Sequence, residues 1–339
     1  MSFRVTLAPS GRSISVAPDE TILEAALRDG HAVSYHCANG SCGDCRARII
    51  EGKLADHLHH DFIFKGADRL QPMLLMCRAK PASDMTIEVQ EAQSAEDIPH
   101  QEITATVVRR NFLTDDIIEL HLRTPRSQTL RFLAGQNVAL TINSLPPRNK
   151  SVASCPCNGR ELQFHFRRSA GDLVTRHVFE ELKLKDTVEI SGPNGSFVMD
   201  DRSDRNILMI AFETGFAPVK SLIEHAISLE LPVPIHLLWL ARDNAGHYQQ
   251  NYCRAWKDAC DNFDYSLLTI DEDAVFGQPG HPALERVTDV IRPYVESSGD
   301  ADIYLAVPEN LFLVIQEMLE AYPVNTAHMV YESMKRNTA

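Results

Sequence analysis

Apolar and polar positions alternate over residues 3–7 and again over 13–16, the two-residue period of half-buried strands. Thr21-Ile-Leu-Glu24 then carries the signature of a capped helix start, and Gly30 supplies the stop. The segment Ala92-Gln-Ser-Ala-Glu-Asp-Ile-Pro99 is small, polar and aperiodic, which predicts a linker between independent cores. Beyond it, strand-type runs at 103–108, 117–122, 137–142, 162–166 and 187–190 come with little helical period and predict an antiparallel barrel. The pattern changes near residue 205. An apolar run at 207–211, a turn at Glu213-Thr-Gly-Phe-Ala-Pro218 and a stripe at Val219, Leu222, Ile223, Ala226 and Ile227 read as strand, turn and helix. Strand runs recur at 235–240, 265–270 and 303–307 with helical stretches between them, the alternation of a parallel, doubly wound sheet.

Composition bounds the function. At 339 residues the chain exceeds one ordinary core, so two or three domains are expected. Hydrophobic residues make up 44% and charged residues 23%, with no apolar run near the roughly 20 residues of a membrane-spanning helix. Met1-Ser-Phe-Arg-Val5 leads into a strand without the charged and apolar regions of a signal peptide, so a cytoplasmic protein is expected. A formal net charge of −13 disfavours phosphate backbones, and no nucleic acid partner is expected. Eight cysteines in such a chain fit metal ligation better than a disulfide framework.

Four of those cysteines are spaced for chemistry. Cys37, Cys42 and Cys45 follow C-x4-C-x2-C, and Cys77 supplies a distant fourth thiolate, the spacing of a plant-type [2Fe-2S] cluster. A zinc site would favour paired C-x2-C knuckles, and the second pair is missing. Gly40 and Gly43 can take backbone angles closed to other residues, letting amides point at the sulfurs.

Tyr35-His-Cys-Ala-Asn-Gly-Ser-Cys-Gly-Asp-Cys45 with Met76-Cys-Arg78 resembles the ferredoxin domain of oxygenase-type reductases. The resemblance extends along the chain, to the reductase components of soluble methane monooxygenase and related oxygenases. It also reaches the CDP-6-deoxyglucoseen reductases of deoxysugar synthesis, which Thr214-Gly-Phe-Ala-Pro-Val-Lys-Ser221 resembles most. It implies a multidomain α+β and α/β chain: a β-grasp plant-type [2Fe-2S] ferredoxin domain over 1–92, a linker over 93–101, an antiparallel FAD-binding β-barrel over 102–200 and a doubly wound parallel NAD(P)-binding-like α/β domain over 201–339.

The resemblance also implies sites. Its R-x-Y-S flavin motif falls on Arg148-Asn149-Lys150-Ser151, where Arg and Ser persist and Lys150 replaces the aromatic that packs on the ring. Phe132-Leu-Ala-Gly-Gln136 and Gly192-Pro-Asn-Gly-Ser-Phe197 match further landmarks, and Thr175 stands where a Ser contacts the diphosphate. Met334 stands where a terminal aromatic covers the flavin. The G-G-T-G nucleotide turn reads Phe212-Glu213-Thr214-Gly215 and leads to Pro218, and Cys-Gly-Pro on the last strand reads Ala306-Val307-Pro308. A carboxylate at 213 suits a helix N-terminus yet repels phosphates.

The implied activity is an oxidoreductase that takes electrons from NADH or NADPH through FAD and the cluster to a redox protein partner, an oxygenase or dehydrase component. A cluster of this ligand set implies a potential around −400 mV. The alternative is a pseudo-reductase, an electron carrier or assembly component that keeps the cluster, lacks nicotinamide binding with or without FAD, and uses the other domains mainly to dock a partner. His57, His59 and His60 read as a solvated loop, Cys253 and Cys260 as core packing on one helix face, and Cys155 and Cys157 as incidental thiols.

Overall fold

The computed structural model describes residues 2–92, 94–125, 128–271, 282–296, 301–322 and 324–334. Its N-terminal unit is a mixed sheet with one helix laid across it. Strands β1 (Phe3–Ala8), β2 (Arg12–Val16), β3 (Arg46–Glu51), β5 (Met73–Leu75) and β7 (Met85–Glu88) run in the order β2-β1-β7-β3-β5, and β4 (Leu54–His57) pairs with β6 (Ala79–Pro81) beside them. Only β1 and β7 are parallel, the crossover that the intervening helix α1 (Ile22–Arg28) makes possible. That helix starts as its sequence dictates: Thr21 accepts from the Glu24 amide while the Glu24 carboxylate takes the Thr21 amide. Ile22, Leu23, Ala25 and Ala26 are its buried face, packed on Val5, Leu7, Ile14 and Ile87.

The second unit is wholly antiparallel. Strands β8 (Gln101–Phe112), β9 (Ile117–Arg123), β10 (Asn137–Ile142), β11 (Arg148–Ser151), β12 (Glu161–Arg167) and β13 (Thr187–Asn194) run β11-β10-β13-β8-β9-β12. Their inward alternation, with Ile103, Ala105 and Val107 on β8 facing Val188 and Ile190 on β13, builds a dry core. The sheet curls until its edges approach, for the Lys150 ammonium of β11 sits 4.5 Å from the centre of the Phe166 ring on β12. Helix α2 (Leu173–Glu180) follows β12 and sinks Val174, Val178 and Phe179 into the barrel.

The third unit is a parallel sheet of β14 (Asn206–Phe212), β15 (Ile235–Ala241), β16 (Phe263–Thr269), β17 (Ala301–Val307) and β18 (Met329–Ser333), ordered β16-β15-β14-β17-β18. Every residue of β15 and β17 is buried, the signature of strands covered on both faces. Helices α3 (Phe216–Ser228) and α4 (Gln250–Ala259) pack on one face, with α5 (Pro282–Glu296) and α6 (Glu309–Leu319) on the other. No helix among the described residues is long and apolar enough to cross a membrane.

Candidate functional site

The cluster loop is shaped by glycine and clamped from two sides. Gly40 and Gly43 sit at φ +84° and +83°, and a Cβ on Gly43 would lie 2.1 Å from the Phe62 ring. The Phe62 amide donates to Gly40 O (3.1 Å), the Arg78 Nε to Asn39 O (3.0 Å) and the Met76 amide to Cys45 O (2.9 Å). The loop places two of the four expected thiols in contact, Cys45 Sγ lying 3.2 Å from Cys77 Sγ, and sets Cys37 and Cys42 on the turn before them. Amides of Asn39 and Cys42 point at Cys37 Sγ (3.5 and 3.4 Å), and that of Asp44 at Cys42 Sγ (3.4 Å). Four free thiols with backbone amides aimed at two of the sulfurs are the donor chemistry that a [2Fe-2S] cluster takes.

A second site opens on the barrel. A cleft of about 360 Å³ is walled by β11, the end of β12, the start of α2 and the end of β18 with Met334 beyond it. All four residues of Arg148 to Ser151 line it, together with Thr175 and Thr214. Arg148 forks onto the Asp172 carboxylate (3.2 and 3.3 Å), and Asp172 caps α2 by accepting from the amides of Val174 and Thr175. The Thr175 hydroxyl is engaged with Ser169 and Asp172, bracing the turn at the head of α2. Met334 lines the cleft with its amide on Val307 O, and Glu332 lines it while accepting from Asn137 (3.2 Å). Burial raises the Glu332 carboxyl, against the hydrogen bond from Asn137. Three cations, a helix N-terminus and an apolar ring at Phe166 suit a flavin dinucleotide.

The turn after β14 lies beside this cleft. Glu213 is 4% exposed and stands at φ +48°, with its carbonyl accepting from Trp239 Nε1 (3.1 Å). Its carboxylate is held by Arg167 of β12 and by Arg242 at the end of β15 (2.7 Å). Gly215 has no room for a side chain, since a Cβ would meet Ala306 O at 2.0 Å. Pro218 sits in the first turn of α3, where it needs no hydrogen-bond acceptor.

Known proteins decide what this assembly is. Residues 5–82 match the 2Fe-2S iron-sulfur cluster binding domain family, and residues 104–199 the oxidoreductase FAD-binding domain family. The CDP-6-deoxy-L-threo-D-glycero-4-hexulose-3-dehydrase reductase of Yersinia pestis is 30% identical over 277 residues, 81% of this chain and 82% of the relative. The phenol hydroxylase P5 protein of Acinetobacter pittii is 31% identical over 268 residues, 78% of this chain and 75% of the relative. The chain belongs to this family of iron-sulfur flavoprotein reductases. Its fold agrees: a cytochrome P450 reductase from Amycolatopsis superposes with a TM-score of 0.61 at 23% identity, over 99% of this chain and 100% of that one. The reductase is an electron-transfer oxidoreductase of the oxygenase and dehydrase reductase class, with a [2Fe-2S] cluster and FAD as its cofactors.

The reductase also holds polar machinery that sequence reasoning missed. Glu119 of β9 is 4% exposed and accepts from Gln249 Nε2 (2.8 Å) across the barrel's border with the third unit. His121 Nε2 lies 2.7 Å away, and His165, which lines the flavin cleft, lies 3.6 Å from Glu119 and 2.8 Å from the Tyr248 hydroxyl. Burial alone would raise the Glu119 carboxyl, but its hydrogen bonds to His121, His165 and Gln249 outweigh that and hold it well below the usual range. These residues stand up to 130 positions apart, and no local spacing announces them. Of the residues set aside, His57 lies in β4 rather than in a loop, because β4 pairs with β6 just beyond Cys77, and its Nε2 accepts from the Leu75 amide (3.3 Å). Cys253 is wholly buried on α4 and Cys260, its C-cap, packs on the same core.

Proposed function

We propose that this reductase takes a hydride from NADH or NADPH and delivers electrons singly to a protein acceptor of oxygenase or dehydrase type, in the cytoplasm. The curated relatives serve such systems by name, a dehydrase in one case and phenol hydroxylase in another. In this reading Cys37, Cys42, Cys45 and Cys77 hold the cluster, and the domains divide at 1–92, 93–101, 102–200 and 201–339. FAD, when bound, couples two-electron donors to one-electron acceptors. Arg148 and Lys150 supply the charge that receives its diphosphate, with Asn149, Ser151 and Thr175 beside them, while His165, Glu332 and Met334 wall the ring space. Thr214, Gly215 and Pro218 shape the nucleotide's entry.

The observation that carries the reading is the anchoring of the cluster loop on the flavin barrel. The Thr129 amide and hydroxyl both donate to His36 O (3.3 and 2.9 Å), one residue before Cys37, and Arg131 Nη1 donates to Ser34 Oγ (3.2 Å). A loop tied at that point keeps cluster and flavin in fixed relation, which single-electron transfer needs. The buried, doubly paired Glu213 favours the pseudo-reductase as the second reading. Anaerobic titration separates them. Purified protein is expected to show flavin absorbance riding on cluster absorbance and to bleach with NADH or NADPH; a spectrum that neither nucleotide bleaches would overturn the donor assignment.

A further inference from the structure

The Glu213 carboxylate lies where a nucleotide's phosphates have reason to go. In open parallel sheets, ligands bind beyond the carboxyl ends of the strands where the chain order reverses. Here that point falls between β14 and β17, whose neighbours diverge to opposite edges. Phe212-Glu213-Thr214-Gly215 is the turn at that point, and it runs directly into α3, whose N-terminus has no side-chain cap. Thr214 and Ala217 also line the flavin cleft, so a molecule lying on this turn reaches the flavin.

The turn has cations, and they are engaged. Arg167 comes from the barrel, with Nε on Asp116 (2.7 Å), and Arg242 from the end of β15, with its guanidinium 5.4 Å from the Phe212 ring centre. Both close on the Glu213 carboxylate, and the Arg242 amide adds a third donor at 3.4 Å. Carboxylates thus already engage both guanidinium groups. A diphosphate arriving here competes with the Glu213 carboxylate for them. Carboxylate and phosphate compete for the same guanidinium fork, since both offer paired oxygens to its paired N–H groups.

We propose that Glu213 is an internal competitor for the anion subsite of Arg167 and Arg242, and that a dinucleotide's diphosphate binds only by displacing it, so that residue 213 sets nucleotide affinity. The inference rests on NAD(P)H being the donor and adds the determinant of how tightly it is held. A side chain at φ +48° is an uncommon conformation outside glycine, and the two arginines hold it there. Glycine or glutamine at 213 removes the Glu213 carboxylate from both guanidinium groups, glycine by deleting the side chain and glutamine by deleting only its charge.

The test is calorimetric titration of the reconstituted holoprotein with ADP-ribose, a redox-inert diphosphate, and with NADH and NADPH. Glu213→Gln and Glu213→Gly are each expected to bind ADP-ribose at least tenfold more tightly than the unmodified chain, with the gain shrinking as salt rises. Equal or weaker binding in Glu213→Gln, with unchanged circular dichroism and melting, would overturn the proposal; because this variant keeps the side chain's bulk, it also decides the matter if Glu213→Gly misfolds. The donor assignment fails separately. Tighter ADP-ribose binding in a protein that neither nicotinamide reduces would retire the donor and keep the competitor, whereas ready reduction by NADH with affinity indifferent to residue 213 would do the reverse.

Discussion

At the scale of single residues, the cluster loop depends on one missing side chain. Gly43 combines φ +83° with a Phe62 ring edge 2.1 Å from its notional Cβ, and Phe62 itself packs edge-on against Phe64 at 5.3 Å. Alanine there adds strain of order 1–3 kcal/mol from the backbone alone and must push the ring or the loop aside. The loop's Cys42 and Cys45 lie on either side of that position, so displacement shifts both thiols against Cys77. Gly43→Ala is expected to purify with markedly less iron and weaker cluster absorbance while the flavin bands persist. Full iron occupancy with an unchanged spectrum would show that the ring yields without moving the ligands. The C-x4-C-x2-C spacing was legible because cluster ligation is local along the chain, whereas Glu119 and His165 meet only through the fold and have no linear signature.

Among the elements, α3 does more than follow the nucleotide turn. Lys220 is 1% exposed, and its three ammonium protons find three acceptors: Ala153 O (3.2 Å), Gln163 Oε1 (3.0 Å) and Glu224 Oε1 (2.6 Å). Ser221 Oγ donates to Ser154 O (2.8 Å), and Glu224 accepts from the Cys155 amide (3.1 Å). The phrase Pro-Val-Lys-Ser221, which resembles a family motif, is thus a latch between the third unit and the barrel. Lys220→Met keeps the volume and strands those acceptors, at a cost of about 3 kcal/mol. A fall in melting temperature with cluster and flavin still bound is the expected outcome, and an unchanged melt would mean that water replaces the ammonium. Elements with a clean period were readable: the strands and the helical stripe from Val219 to Ile227 fall where apolar spacing puts them. β11 has no such period, because Arg148 to Ser151 faces the flavin cleft instead of a core, and only the family motif marks it as a barrel strand. Helix α2 was not readable, since its eight residues are too few to establish a period.

For the whole molecule, the three units meet around α3, and the meeting place is sensitive to acid. The Arg12 guanidinium forks onto Asp201 (2.7 and 2.9 Å), tying the N-terminal unit to the segment after the barrel. His225 of α3 packs there with His31, and burial pushes His225 down to about 4, with Arg12 and His31 adding to the fall against the pull of Asp201. His31 is lowered by the same burial, with Arg12 adding and Glu91 and Asp201 opposing. Elsewhere His236, stacked on Tyr294 at 4.2 Å, is likewise held at about 4 by burial, opposed by Asp264 and helped by Lys257. The folded values lie below the ordinary one near 6.5, so on acidification the unfolded chain takes up these protons first. Stability is therefore full above pH 6.5 and is lost as pH falls toward 4, by up to about 1.4 kcal/mol per pH unit for each such histidine. Denaturant midpoints measured at pH 7, 6 and 5 should fall progressively for the unmodified chain. Replacing His225 by glutamine removes one titrating group at the junction while leaving His236 as an internal reference, so the variant's slope should be shallower by roughly one proton. Parallel slopes in the two proteins would mean that His225 binds its proton equally in the folded and unfolded states over this range, and that the acid sensitivity of the assembly lies outside the three-unit junction.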